Sequence, residues 1–369
     1  MIRTSRVLPG LLIAAALVAT PIFAPPAVHA ASGGEAAVSG DIVAEQYAAL
    51  LERDYVYPET GKRYAEALRA GIRAGRYKAL SGEALGAAID ADVRAVAEDG
   101  HLRLRVPEVA SVGSGPATPA PRPVKPPIEK AGWIAPGVAF VRFNVFPYDA
   151  EVTAAAAKFM ADHADAKAII FDIRTHNGGG LDQMDVIFPW LFDKPTRLVT
   201  MATRASVDAE GGSPIDGVPS MRPVKGEAGM VTREHWATPG ADKRLRKSKV
   251  YVLTSGASAS AAEHFALAMK ATGRGVLIGA PTRGANHFGR GEDLAGGYGA
   301  FIPVGRTYDP RTGKDWEGDG VQPDIAVAPA DALLRALTEL GVAPAEAKAL
   351  SDAYMPAWPM ERRKPRGAS

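Results

Sequence analysis

The 369-residue sequence contains no cysteine. That excludes disulfides as a source of stability, and it removes thiolates as nucleophiles or metal ligands. An excess of charge is missing too. Lys and Arg number 43 against 41 Asp and Glu, and Arg3 and Arg6 account for the difference. The basic cluster "DKRLRKSK" at 242–249 precedes an apolar strand and reads as a solvated loop. The charge pattern therefore gives no case for a nucleic-acid partner. No H-E-x-x-H, P-loop or dinucleotide fingerprint occurs, so neither a metal nor a cofactor is expected. A long apolar run is absent as well. The strongest, "LLIAAALVAT" at 11–20, is too short to span a bilayer, and Pro21, Pro25 and Pro26 break the segment after it. Arg3 and Arg6 before it and "AVHA" after it instead fit a signal peptide over 1–30, with a mature chain starting near Ala31. The expectation is export, to the periplasm or beyond, with no integral membrane segment once the leader is removed.

What remains is long enough to bury a substantial core. Residues 41–98 have helical periodicity: "DIVAEQYAALLERDYV" offers Asp41 as a cap and places Ile42, Tyr47, Leu50 and Leu51 near one face. Two further alanine-rich amphipathic segments follow, with Ser81 as a cap candidate and Gly100 as a stop. A small helical domain over 31–106 is expected. "GSGPATPAPRPVKPP" at 113–127 carries six prolines and reads as part of a linker over 107–130. Apolar strands then alternate with helices: "GVAFVRFNVF", "AKAIIFDIR", "SKVYVLTS" and "GVLIGA" as strands, with helices between. That alternation predicts an α/β domain over 131–345 with a largely parallel sheet. The stretch 201–245 reads as an insertion or irregular hairpin. "PADALLRALTEL" is a last helix, and a loose tail is expected over 346–369 after it, basic beyond Met355.

Chemistry concentrates at strand–helix junctions. In "YVLTSGASASAAEHF" the strand ends near Thr254 and a helix begins after Ser260. A hydroxyl there faces unpaired N–H groups and the positive end of the helix dipole. Ser255 lies too early, and Ser258 fits a cap or a turn support. A serine nucleophile needs a base. Of seven histidines, His101 in "AEDGHLRLRV" stands at the junction of the helical and α/β segments; His163, His235 and His287 have no evident chemical company in the sequence. Gly178, Gly179 and Gly180 follow the strand "AIIFDI" and suit an oxyanion hole.

Five blocks, "AEDGHLRL", "AIIFDIRTHNGGG", "VYVLTSGASASAAEHF", "LIGAPTRGA" and "WEGDGVQPDIAV", occur in this order along the chain. In that order the chain resembles the tail-specific or C-terminal-processing serine peptidases, a family that includes the tricorn core protease and the interphotoreceptor retinoid-binding protein repeats. The resemblance implies a crotonase-like (ClpP-like) spiral α/β catalytic domain preceded by the small helical domain, with a peptide or protein as substrate. It implies Ser260 as nucleophile. One branch of the family takes its base from a lysine twenty-five residues later, but that position is Ala285. The other branch, resembling tricorn, uses a histidine and a glutamate that fall here on His101 and Glu317. The oxyanion hole would combine the N–H of Ala261 with one from the Gly178–Gly179 turn. Ser258, Glu263, Asp172 and Arg174 are read as supporting residues, the charged ones as an ion-pair network holding the glycine turn against the Ser260 helix. Two departures stand out: His176 occupies a place where the family has asparagine, and no room exists for a PDZ domain. The alternatives are a ligand-binding module on the same fold, or an acyl hydrolase for non-peptide substrates.

Overall fold

The computed structural model describes residues 38–107 and 124–361. The expected leader, most of the proline-rich stretch and the last eight residues lie outside the described residues. The chain opens with three helices, α1 (Gly40–Asp54), α2 (Pro58–Arg73) and α3 (Gly82–Val96). The cap of α1 is Ser39, whose side chain accepts the N–H of Asp41, so the helix starts earlier than Asp41 as a cap would place it. Helical spacing then selects the buried faces: Val43, Tyr47 and Leu51 on α1, Gly61, Tyr64, Ala65 and Leu68 on α2, and Leu85, Ile89 and Val93 on α3. Ile42, expected on the inner face, is half exposed.

These helices do not close a core by themselves. Their apolar faces join Ala300, Ile302 and Val304, which belong to a sheet formed more than 200 residues later. That sheet pairs β1 (Arg103–Arg105), β5 (Thr196–Arg204), β6 (Met221–Val224), β7 (Met230–Ala237), β10 (Phe288–Asp293) and β11 (Gly299–Tyr308), all antiparallel. The 201–245 stretch, read as an insertion or irregular hairpin, contains an antiparallel pair of strands. It supplies the end of β5, the short helix α6 (Ala205–Ala209), β6 and β7.

The second sheet contains β2 (Ile128–Ala135), β3 (Val138–Phe143), β4 (Ala168–Asp172), β8 (Lys249–Thr254), β9 (Val276–Gly279) and β12 (Ile325–Ala326). Its order is β12-β9-β8-β4-β3-β2, parallel throughout except for β2, which is antiparallel to β3. Because β2 begins at Ile128, the linker read over 107–130 ends before that residue. The strands show the two-residue alternation of a sheet covered on both faces. Ala139, Val141, Ile169, Phe171, Val252 and Leu277 enter one core with α4 (Ala150–Asp162), α5 (Asp182–Leu191) and α7 (Ala261–Ala271). Phe140, Ile170, Tyr251, Leu253 and Ile278 enter the other with α8 (Ala332–Glu339) and α9 (Pro344–Ala353). Each fully buried Leu, Ile or Phe contributes about 1.5–3 kcal/mol relative to exposure. The segment read as a tail therefore includes a packed helix, and beyond it the carbonyl of Met360 accepts the N–H of Ala257 at 3.1 Å. Among the described residues no helix is long and apolar enough to cross a membrane.

Candidate active site

Strands β4, β8 and β9 are adjacent and parallel, so the loops that follow them leave from one edge of the sheet. Ligand sites of open α/β sheets lie at this carboxyl edge. The loop after β8 delivers Ser260 to the N-terminus of α7 with φ 55° and ψ −114°. Ser260 is the only non-glycine residue with positive φ among the described residues. Such a conformation costs on the order of 1–3 kcal/mol and persists only where the surroundings impose it. The surroundings are specific. Glu263, buried on the first turn of α7, accepts the Ser260 N–H at 2.8 Å and the Ala285 N–H at 2.9 Å on one oxygen. Its other oxygen accepts the Thr282 hydroxyl at 2.6 Å and the Gly284 N–H at 2.7 Å. Burial pushes the Glu263 carboxyl up, against these donors, which favour the carboxylate.

Ser258 is bonded on both sides. Its hydroxyl donates to the Ile173 carbonyl at 2.8 Å and accepts the Ser255 N–H at 3.0 Å. The Ser255 hydroxyl donates to the Arg174 carbonyl. The turn before Ser260 is thus stitched to the chain after β4. Along that chain lie Gly178 and Gly179, with φ 117° and 126°. A Cβ on Gly178 would stand 3.0 Å from Ser260 Cβ, and one on Gly179 only 2.0 Å from the Phe146 carbonyl oxygen. Both places require glycine. The N–H of Gly178 donates to His176 Nδ1 at 3.1 Å, so that group is engaged. Among the described residues the N–H groups of Gly179 and Ala261 meet no protein acceptor. His176, found where the family has asparagine, is fully buried edge-on against Phe146, and burial drops its pKa to about 3, with Lys125 adding to the effect.

His101 comes from the turn between α3 and β1 and lines the same cavity of about 330 Å³ as Ser260 and Gly179. Its ring stacks on Phe301 at 6.0 Å, and its Nδ1 is buried without a hydrogen-bond partner. Burial lowers its pKa to about 4, with Asp99 opposing and His287, Arg103 and Arg283 assisting. Glu317 is brought to this turn: Oε1 accepts the Gly100 N–H at 3.4 Å and Oε2 the Asn286 N–H at 2.7 Å. One ligating atom each from Asp99, His101 and Glu317 lie within 4.8 Å of one another. A cation would have to compete there with internal bonds, because both Asp99 oxygens already accept hydrogens. Oδ1 takes the His101 N–H at 2.8 Å, and Oδ2 takes the Tyr55 hydroxyl at 2.8 Å and meets His287 Nδ1 at 2.7 Å.

Asp99 and His287 were not singled out in the sequence. Burial alone would raise Asp99 and lower His287, but their bond reverses both, holding the acid below its usual range and the imidazole above it. Burial pushes Glu317 up, with the charge on His287 opposing. The available signal was the position of His287, two residues after the Ala285 that replaces a lysine. His235 and His163 also have partners. His235 bridges Asp185 Oδ1 at 2.9 Å and His264 Nε2 at 2.8 Å, while His163 Nδ1 meets the Phe159 carbonyl at 2.8 Å.

Asp172 and Arg174 form an ion pair with Arg142, but Glu263, read with them as one network, does not join it, its partners being N–H groups and a hydroxyl. Arg174 holds Asp172 through Nε at 2.9 Å and Nη2 at 2.8 Å, and Arg142 adds its own Nε at 2.8 Å, all buried. Burial would raise the Asp172 pKa, but the two guanidinium groups hold it below the usual range.

The comparisons with known proteins agree with this architecture. The sequence pattern of Peptidase family S41 matches residues 137–327, and that of the N-terminal domain of the family in eukaryotic IRBP matches residues 39–132. The structure resembles that of a photosystem II D1 C-terminal processing protease at 16% identity and a TM-score of 0.55, over 85% of this chain and 98% of that one. It resembles a candidate peptidase from Parabacteroides merdae at 16% identity and a TM-score of 0.57, over 83% and 98% of the two chains. A lipoprotein from Streptococcus agalactiae aligns at 11% identity and a TM-score of 0.50, over 82% and 96%. The shared fold is the crotonase-like (ClpP-like) spiral with a helical N-terminal region, and the chain belongs to peptidase family S41 as a serine-type peptidase.

Proposed function

We propose that this peptidase cleaves peptide or protein substrates with Ser260 as nucleophile, His101 as general base and Glu317 as the acid that supports it. The single observation that carries the reading is the strained Ser260 backbone at the head of α7, facing a cavity it shares with His101. A side chain held at φ 55° between a helix N-terminus and two glycines is aimed rather than accommodated. In this scheme His101 accepts the serine proton as Oγ attacks the scissile carbonyl; burial keeps its ring neutral, with a pKa of about 4, and makes it a weaker base than a free imidazole, a shift that Asp99 opposes. The proton then passes to the leaving amine, and water repeats the cycle on the acyl-enzyme. The oxyanion pair is read as the N–H groups of Ala261 and Gly179, since Gly178 already serves His176. Asp172, Arg174, Ser258 and Glu263 hold the turns and touch no substrate in this scheme. Residues 1–30 are proposed to direct export and then to be removed.

A fluorophosphonate probe tests the core of this reading. The full chain should label, Ser260→Ala should not, and the variant should melt as the parent does. Labelling that survives in Ser260→Ala would sink the assignment, and an unlabelled parent carrying an apolar ligand would favour the binding-module alternative. N-terminal sequencing of the exported protein, expected to start near Ala31, tests the leader.

A further inference from the structure

Ser260 and His101 come from distant parts of the chain, the loop after β8 and the turn after α3, yet chemistry requires them at a fixed separation. The segment 284–287 lies between them and is bonded at both ends. On the Ser260 side, Gly284 and Ala285 donate their N–H groups to Glu263, the carboxylate that also holds the Ser260 N–H. On the His101 side, Asn286 donates its N–H to Glu317 at 2.7 Å, and His287 Nδ1 meets Asp99 Oδ2 at 2.7 Å. The other Asp99 oxygen holds the backbone of His101 itself, and Glu317 holds that of Gly100. The segment is pinned along its length as well. Gly284, at φ 81°, accepts the Gly318 N–H at 3.0 Å, and a Cβ there would meet the Gly318 backbone at 2.5 Å. His287 is buried at 3% exposure, with Tyr57 edge-on at 5.4 Å.

We propose that residues 284–287 are the spacer that sets the nucleophile against the base, and that His287 is its positioning residue, acting on His101 through Asp99. The position that supplies a lysine base in the other branch of the family, Ala285, contributes only its N–H here. Two residues on, His287 grips the histidine turn instead. This inference rests on the Ser260–His101 reading above. It places no proton transfer on the His287 ring, whose Nδ1–H donates to Asp99.

The test is fluorophosphonate labelling of the full chain, resolved into a maximal rate and a half-saturating concentration. His287→Ala should lower the maximal rate about 100-fold, the scale expected when a catalytic group is displaced by about 1 Å, with half-saturation within about twofold. His287→Asn returns an N–H donor near the Nδ1 position and should recover to within about tenfold of the parent. Adding Asp99→Asn to His287→Ala should cost less than about twofold more, because the two residues act as one unit. A parental rate in His287→Ala, or losses that multiply in the double variant, would overturn the proposal. So would a His287→Asn variant as slow as His287→Ala, since that pattern marks proton transfer by the ring. Should His287→Ala not fold, His287→Asn, Asp99→Asn and their double variant decide the matter by the same non-additivity. A parental rate in His101→Gln would instead remove the underlying assignment of the base, which separates the two failures.

Discussion

Around Ser260 almost every polar group is bonded to a neighbour a few residues away or one strand over. His101 instead depends on acids at 99 and 317 and on an imidazole at 287, drawn from both ends of the chain. The first region is a property of the parallel sheet: the bonds of Asp172, Arg174 and Ser258 that lock the loops at one edge involve none of the three N-terminal helices. The second exists only once α1–α3 close their core on β11. The nucleophile is therefore held by bonds within the sheet's own loops, and the base by long-range packing. Damage to the two regions should differ in kind, the first unfolding the molecule and the second uncoupling the site.

The largest effect should come from the ion-pair network. Asp172→Ala leaves Arg174 and Arg142 buried with their shared carboxylate gone, although Arg142 keeps Glu129 at 2.8 Å. Removing one partner of a buried pair costs about 3–5 kcal/mol. Denaturant unfolding should register that loss, and fluorophosphonate labelling should disappear at the same denaturant concentration as the fold. A stability change below about 1 kcal/mol would contradict the assignment of this network as the anchor of the Ser260 edge.

Glu263→Gln should come next. Glutamine offers one acceptor oxygen for four donors, so buried N–H groups among Ser260, Gly284 and Ala285 lose their acceptor. An unsatisfied buried polar group costs about 1–3 kcal/mol. Because Glu263 joins the two regions, stability and labelling rate should both fall. A variant that loses stability alone would detach Glu263 from the positioning of Ser260.

The contrast also governs what the sequence disclosed. Alternating apolar runs such as "AIIFDI" and "VYVLT" announce parallel strands, because a strand covered on both faces has no polar side. The glycine turn and the serine before α7 are local patterns, legible for the same reason. The strands over 201–245 were legible only as an insertion or irregular hairpin, since they are interleaved with polar and proline-containing turns and their apolar residues, Met201, Met221 and Ala237, gain a core from distant partners such as Phe171 and Leu277. His287 looked solitary because its partner, Asp99, lies 188 residues away. Glu317 became visible only through family resemblance, its effect being exerted on backbone N–H groups at 100 and 286 that no local pattern marks.

The smallest effect sharpens the comparison most finely, at one of the two buried histidines of the nucleophile region, the other being His264 on α7. His176 has a folded pKa near 3, pushed there chiefly by burial, against an ordinary value of 6.5. As pH falls below about 6.5 the unfolded chain takes up the proton first. Stability contributed by this group is therefore full above that pH and is lost progressively toward pH 3, at about 1.4 kcal/mol per pH unit at most. Asparagine does not titrate, and its side-chain oxygen is a substitute acceptor for the Gly178 N–H. At pH 7.5 His176→Asn should change stability by only about 1 kcal/mol, from the ring packing lost against Phe146. Its labelling rate should stay within about threefold of the parent, since the Gly178 N–H is assigned no role at the oxyanion. Between pH 6 and 4 its denaturation free energy should fall less steeply than the parent's by up to the slope above. An equal slope in the two proteins would move the acid sensitivity to His264, which burial holds well below its usual value, or to His101, whose folded pKa near 4 gives the same sign.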